Sequence, residues 1–265
     1  MDSAIELQEI TVIKGEITLF ENLNVSFPKG KTSVIMGPSG CGKSTMLKIA
    51  AGIALPDYGT VYFDNKPLHK LSEKELLLFK KTNGFVFQDA ALWANKSIFQ
   101  NLSLPLEFHF RHLSQDEIRR RVNEMLKKIG FRDNPELRPA QLSSGEQKMA
   151  SFARALITDP TVIFMDSPLI SIDSEIADRI IHMIQELKKQ EKTIIISTHD
   201  PVLTSMTADY LIVLKKGVIL EMGDFDDVVR STNKEVMSVL TNVLSKASTY
   251  DGDILDLLSE DDDKS

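Results

Sequence analysis

The sequence predicts an α/β fold with a largely parallel central sheet, and three observations predict it. Short apolar runs at Ser33-Val34-Ile35-Met36, Val162-Ile163-Phe164-Met165 and Ile194-Ile195-Ile196 each end abruptly in polar residues or glycine. Runs of that kind suit strands covered on both faces, as in a parallel sheet. Segments with helical periodicity lie between them. Ligands of open α/β sheets bind at the carboxyl ends of such strands. The polar clusters that begin at Gly37, Asp166 and Ser197 all sit there.

The elements follow in order. Ile5, Leu7, Ile10 and Val12 lie in one β-rich stretch, residues 19–27 in another, and Pro28-Lys29-Gly30 is a turn signal. Met46-Leu47-Lys48-Ile49-Ala50 reads as a helix after the first glycine-rich loop. Ser114 with Glu117 three residues on is a capping box. The helix it opens runs to about residue 129, with Ile118, Val122, Met125, Leu126 and Ile129 on one face and Gly130 as its stop. Arg119-Arg120-Arg121 on this helix reads as a solvated face. Residues 148–157 are a further helical run, and residues 175–189 repeat the pattern with Ile176, Ile180, Met183, Ile184 and Leu187. Near the end, Val236, Met237, Val239, Leu240, Val243 and Leu244 suit a docked helix.

Composition bounds the function. The chain has 265 residues and a formal charge of −7, with 42% hydrophobic and 26% charged residues, which are ordinary globular values and exclude disorder throughout. After Tyr250 come seven acidic residues and one basic; the rest of the chain carries 31 acidic and 30 basic groups. A nearly neutral body with an acidic tail gives no whole-domain basic footprint, so no nucleic acid is expected as a partner. Cys41 is the one cysteine, so there is no internal disulfide framework and a reducing, cytoplasmic setting is expected. The start MDSAIELQEI lacks a basic, apolar leader, and no apolar run approaches a bilayer span. A membrane role is therefore expected to come through a partner.

Gly37-Pro38-Ser39-Gly40-Cys41-Gly42-Lys43-Ser44-Thr45 fits the G-x-x-x-x-G-K-[ST] phosphate loop, between an expected strand and an expected helix. Glycines let successive backbone N–H groups converge on phosphate oxygens. The helix N-terminus adds a favourable dipole end. Lys43 can reach the β- and γ-phosphates, and the Ser44 hydroxyl can ligate Mg²⁺. Kinases, GTPases and many ATPases share this loop.

The rest of the sequence narrows the class. Leu142-Ser143-Ser144-Gly145-Glu146-Gln147 resembles the LSGGQ signature of ATP-binding cassette (ABC) proteins. Gln88 matches the Q-loop of that family, Asp166 the Walker B aspartate, Ile170-Ser171-Ile172-Asp173 the D-loop and His199 the H-loop. Residues 210–217 and then Gly223 resemble the strand pair that closes the cassette. The resemblance covers about residues 4–230. It implies a P-loop NTPase cassette with a mixed RecA-like sheet core, an antiparallel β subdomain and an α-helical subdomain. The implied division is a nucleotide-binding domain at 1–230, with its helical subdomain at about 89–158. A helical extension at 231–250 and an acidic, disordered tail at 251–265 would follow.

The resemblance also implies roles. ATP and Mg²⁺ are the expected ligands. Residues 37–45 would hold the chain's own ATP, with Ser44, Gln88 and Asp166 at the metal and His199 at the γ-phosphate. Ser143, Ser144, Gly145 and Glu146 would serve the ATP of a second ABC subunit, in a homodimer or heterodimer. An integral-membrane permease subunit would receive the motion through the surface around the Q-loop. The chain would then sit peripherally on the cytoplasmic face of the inner or plasma membrane.

Three positions depart from the pattern. Ser167 stands where the family has its water-polarising glutamate, and a hydroxyl does not take a proton at neutral pH as a carboxylate does. Binding is expected to survive while hydrolysis slows, either with a partner that carries the glutamate or in a slow or regulatory module. Ser144 replaces a glycine, and its Cβ is expected to crowd the ribose and phosphate side. An adenine-stacking aromatic is missing near Ile13-Lys14, so ATP affinity is expected to be weaker.

Phe85-Val86-Phe87-Gln88-Asp89-Ala90-Ala91-Leu92-Trp93, with Ser97-Ile98-Phe99-Gln100-Asn101-Leu102 and Pro105 beyond it, resembles the Mla/MCE-type lipid transport ATPases. An MCE-type lipid-binding protein is then a further expected partner. Amino-acid importers, lipoprotein-release systems and soluble ABC proteins are the alternatives. Leu92, Trp93, Ile98, Phe99 and Leu102 read either as a groove for a coupling helix or as core, with Trp93 the best exposed contact. In the tail, Ile254-Leu255-Asp256-Leu257-Leu258 reads as a solubilising segment or as a patch that docks on the partner cassette.

Overall fold

A computed structural model of the chain describes residues 2–244. The acidic tail and its apolar patch lie outside the described residues.

Two sheets organise the chain. The antiparallel sheet contains β1 (Ser3–Lys14), β2 (Ile17–Pro28), β4 (Tyr58–Phe63) and β5 (Lys66–Pro67), in the order β2-β1-β4-β5. The second sheet has six strands: β3 (Thr32–Met36), β6 (Asn83–Val86), β7 (Val162–Asp166), β8 (Thr193–Thr198), β9 (Tyr210–Lys215) and β10 (Val218–Asp224). Its order is β10-β9-β3-β8-β7-β6, and all of its pairings are parallel except β10 with β9. The fold class is the expected one.

The helices are α1 (Lys43–Ala50), α2 (Glu73–Thr82), α3 (Ile98–His109), α4 (Gln115–Lys128), α5 (Ser144–Leu156), α6 (Ser174–Lys189), α7 (Pro201–Thr207), α8 (Phe225–Val229) and α9 (Lys234–Leu244). The capping box at Ser114 and Glu117 opens α4, and Gly130 follows its end at φ +70°.

Strand alternation explains the apolar runs. Side chains on successive strand residues point to opposite faces. Val34, Met36, Ile163, Met165, Ile194 and Ile196 therefore enter one buried cluster with α3, α4, α5, α6 and α9. Ile35, Phe164 and Ile195 enter a second cluster with α1 and the antiparallel sheet. Both faces are covered, so every position of β3, β7 and β8 is buried. The terminal helix α9 docks as its apolar pattern requires, with Val236, Val239 and Leu240 buried and Glu235 Oε2 2.9 Å from Lys215 Nζ on β9. Among the described residues, no helix is long and apolar enough to cross a membrane.

Candidate nucleotide-binding site

Four adjacent parallel strands, β3, β8, β7 and β6, deliver their carboxyl ends to one edge of the sheet. The register pairs Met36 with Thr198, Asp166 with Ser197 and Val86 with Met165. Residues 37–45, Ser167, His199 and Gln88 are therefore brought together, though they are far apart in sequence. His199 and Gln88 are both exposed there.

The glycine loop after β3 has little spare room. A Cβ on Gly37 would lie 2.1 Å from the Leu214 carbonyl oxygen and 2.8 Å from Cys41 Sγ. Gly42 caps α1 at φ +111°, where an L side chain is strained, and a Cβ there would meet the Phe20 ring at 2.6 Å. Pro38, Ser39 and Gly40 form the exposed crown. Lys43 is buried, and its Nζ donates to the carbonyls of Gly37 at 2.7 Å and Pro38 at 3.0 Å. Burial lowers the Lys43 pKa and raises that of Cys41. A cleft of about 390 Å³ beside the loop is lined by Lys14, Ile17, Leu19 and residues of the loop. Lys14 Nζ donates to Thr45 Oγ1 at 3.2 Å. The lining of this cleft is thus aliphatic and cationic.

The end of β7 supplies the acid. Asp166 is buried, and its Oδ1 accepts from Ser44 Oγ at 2.7 Å and from Ser197 Oγ at 2.6 Å. Lys48 Nζ on α1 lies 3.9 Å from its Oδ2. Ser44 and Asp166 together give the hard oxygen donors that Mg²⁺ takes. Ser167 has φ +47°, and its N–H donates to the Ser197 carbonyl at 2.8 Å. The Ile170 N–H donates to the Ser167 carbonyl at 3.3 Å, so the backbone at this position is fixed from both sides while its side chain carries only a hydroxyl.

The signature segment opens α5. Ser143 is the N-cap: its Oγ accepts from the Glu146 N–H at 3.3 Å and donates to Glu146 Oε2 at 2.6 Å. The neighbouring Asp133 and Glu146 carboxyls share their proton unequally, which raises the Asp133 pKa and lowers that of Glu146, the latter helped by the Ser143 donors. Gly145 is buried, and a Cβ there would lie 2.1 Å from Ile176 Cδ1, so α5 presses against the start of α6. Ser144 is exposed, and its Oγ donates to the Ser171 carbonyl at 3.2 Å. Its hydroxyl thus faces the loop after β7, where Ser171 has φ +60°.

The groove expectation needs a correction. Ile98 and Leu102 are core residues with no exposed surface, and Leu92 and Phe99 pack partly buried beside them. The helical repeat of α3 turns Ile98, Leu102 and Leu106 inward together. The groove, about 480 Å³, is lined instead by Phe85, Phe87, Trp93, Leu104, Pro105 and Arg154, among others. Trp93 is 53% exposed, as expected of a contact residue.

Sequence reasoning missed Lys48, Lys148, Arg154 and Ser197. Lys148 and Arg154 are basic residues inside an otherwise small and apolar helical run, which was the available signal. Ser197 gave none, because its role comes only from its register opposite Asp166.

A family model described as "ABC transporter" matches residues 20–170. The chain is 33% identical over 237 residues to the intermembrane phospholipid transport system ATP-binding protein MlaF of Haemophilus influenzae, covering 89% of each. It is 32% identical over 222 residues to the methionine import ATP-binding protein MetN of Rhodopseudomonas palustris, covering 83% of this chain and 59% of that one. Among solved structures, the bacterial ABC transporter cassette MJ0796 in its dimeric form matches with a TM-score of 0.77 and 34% identity, covering 83% of this chain and 98% of that one.

Proposed function

The chain belongs to the ABC transporter family, and on that premise we propose that it is the ATP-binding subunit of a phospholipid transporter. The convergence of residues 37–45, Asp166, Gln88 and His199 at adjacent strand ends is the observation that carries the nucleotide reading. The match to MlaF over 89% of both chains supports the lipid reading, and Trp93 on its exposed groove supports a membrane partner at that face. An integral-membrane permease, an MCE-type lipid-binding protein and a second cassette are the proposed partners. The proposed location is the cytoplasmic face of the membrane.

Each group has a physical task. Backbone N–H groups of residues 37–45 cradle phosphate oxygens at the N-terminus of α1. Lys43 exchanges its loop carbonyls for phosphate oxygens, a stronger, charge-assisted contact. Ser44 and Asp166, with Gln88, would hold Mg²⁺, which would supply charge neutralisation at the phosphates. His199 meets the γ-phosphate from the end of β8. Ser143, Ser144 and Gly145, at the N-terminus of α5, face the partner's ATP, with Glu146 fixing Ser143. Residues 1–230 form the proposed nucleotide-binding domain, with a helical subdomain at about 89–158. The proposed extension is 231–250, and the tail is 251–265.

Ser167 favours a second element of the proposal, slow hydrolysis at this chain's own site. No carboxylate follows Asp166, and a missing general base costs about 10²- to 10⁴-fold in rate. The chain then uses ATP chiefly to close a dimer, or pairs with a cassette that retains the base.

Affinity purification of the tagged chain from detergent-solubilised membranes tests the transporter reading. An integral-membrane subunit carrying extractable phospholipid is expected. Recovery of no membrane subunit rejects the reading, and a membrane subunit that binds methionine rather than phospholipid rejects the lipid assignment.

A further inference from the structure

Asp166 is a buried carboxylate whose two oxygens have different partners. Its side chain is 3% exposed. Oδ1 accepts from the Ser44 and Ser197 hydroxyls. Among the described residues, Oδ2 accepts no hydrogen bond, and the Lys48 ammonium lies 3.9 Å from it. That separation is too long for a hydrogen bond, so Lys48 acts on the carboxylate through its charge. A buried carboxylate needs such a counterion, because hydroxyl partners bring no net charge.

Two other lysines lie in the field of Asp166, and both are engaged elsewhere. Lys43 Nζ donates to the carbonyls of Gly37 and Pro38, and Lys148 Nζ to those of Phe87 and Gln88. Among the described residues, the Lys48 side chain forms no other ion pair and no hydrogen bond, and it is 41% exposed. Lys48 stands four residues after Ser44 on α1, hence on the same face and about 6 Å further along the axis. That helix packs on β7. One helix face thus brings a hydroxyl to Oδ1 and an ammonium to Oδ2.

We propose that Lys48 is the counterion of Asp166 before the metal binds, and that it withdraws from Oδ2 toward solvent as Mg²⁺ is taken up. Lys48 is then a positioning residue, which holds the carboxylate ready and yields its place. Two cations beside one carboxylate repel each other, and a half-exposed lysine can move its head into water. The inference rests on the nucleotide reading above and adds a property to it. Metal uptake is an exchange of cations, so Lys48 makes nucleotide binding less dependent on Mg²⁺.

Lys48→Met keeps the stem and removes the charge, while Lys48→Arg keeps the charge. The measurement is the affinity of a fluorescent ATP analogue for the full chain, in EDTA and with Mg²⁺. In EDTA, Lys48→Met leaves the Asp166 charge uncompensated beside the phosphates, and affinity should fall by about two- to fivefold, the span of a half-exposed ion pair. With Mg²⁺ it should match the wild type, and Lys48→Arg should match under both conditions. In an Asp166→Asn background, Lys48→Met should have no effect in EDTA. Equal gains on adding Mg²⁺ in Lys48→Met and the wild type overturn the proposal. An EDTA loss of the same size in the Asp166→Asn background also overturns it, by making Lys48 a direct phosphate contact. A wild-type chain that binds no nucleotide overturns the nucleotide reading instead. Urea denaturation without nucleotide or metal keeps the two apart. There Lys48→Met should raise the unfolding constant by about two- to fivefold in the wild-type background and not in Asp166→Asn. Equal shifts in both backgrounds overturn the counterion role whatever the nucleotide result. Lys48→Gln carries the same predictions if Lys48→Met does not fold.

Discussion

Ser167 is the residue on which the proposed slow hydrolysis turns. Its left-handed backbone and its N–H bond to Ser197 would serve a glutamate equally well, since both residues carry a Cβ. Ser167→Glu should therefore fold normally and raise ATP hydrolysis by about 10²-fold or more. A phosphate-release assay giving the same rate for both chains would show that the missing base is not limiting. Ser171 carries the opposite case, a backbone cost with no evident side-chain gain. Its φ of +60° suits glycine, so Ser171→Gly should stabilise the chain by up to about 1 kcal/mol in urea denaturation. If Ser171→Gly instead weakens ATP-driven dimerisation, the constrained loop is what the partner recognises. Ser144 sharpens the point: its hydroxyl goes to the Ser171 carbonyl, an assignment that residue type alone did not give.

At the scale of elements, helix starts at this site serve both structure and chemistry. Ser143 closes a capping box on α5 while facing the proposed partner nucleotide. Ser143→Ala should cost about 1 kcal/mol of stability in urea. It should also weaken ATP-driven dimerisation while leaving the monomer's own ATP affinity unchanged, because residues 37–45 do not touch it. A loss of monomer affinity would place Ser143 in the wrong site. The legible part here was the glycine loop and the signature, whose residue spacing is itself the chemistry. The α3 groove was less legible: the apolar list Leu92, Trp93, Ile98, Phe99 and Leu102 mixes loop and helix residues, and only packing showed that Ile98 and Leu102 point inward while Trp93, Leu104 and Pro105 line the groove.

Across the whole molecule, the terminal elements brace the nucleotide loop. The Leu214 carbonyl packs on Gly37, and the Gly217 N–H donates to the Cys41 carbonyl at 3.1 Å. The strands β9 and β10 that carry Leu214 and flank Gly217 are covered in turn by α9 through Val236, Val239 and Leu240. Leu240→Ala should cost about 2–4 kcal/mol in urea denaturation. Because the brace is indirect, it should also weaken ATP binding near the midpoint of the transition. A cost below about 1 kcal/mol would mean that α9 is a loosely attached appendage.

The sequence by itself determined the parallel sheet, the glycine-rich loop and the start and stop of α4, and it named Asp166, Gln88 and His199 as candidates that the fold then places at adjacent strand ends. The elements follow from local rules: continuous apolar runs bounded by polar residues, glycine where backbone must approach an anion, caps at helix ends; Gln88 and His199 came from the family resemblance. Only the tertiary structure decided what those groups bond to. Ser197 reaches Asp166 through strand register, Lys148 and Arg154 hold the segment after β6 through packing, and Ser144 turns to the Ser171 carbonyl. Each joins residues more than twenty positions apart. Such contacts depend on how layers stack, and no spacing along the chain encodes that directly.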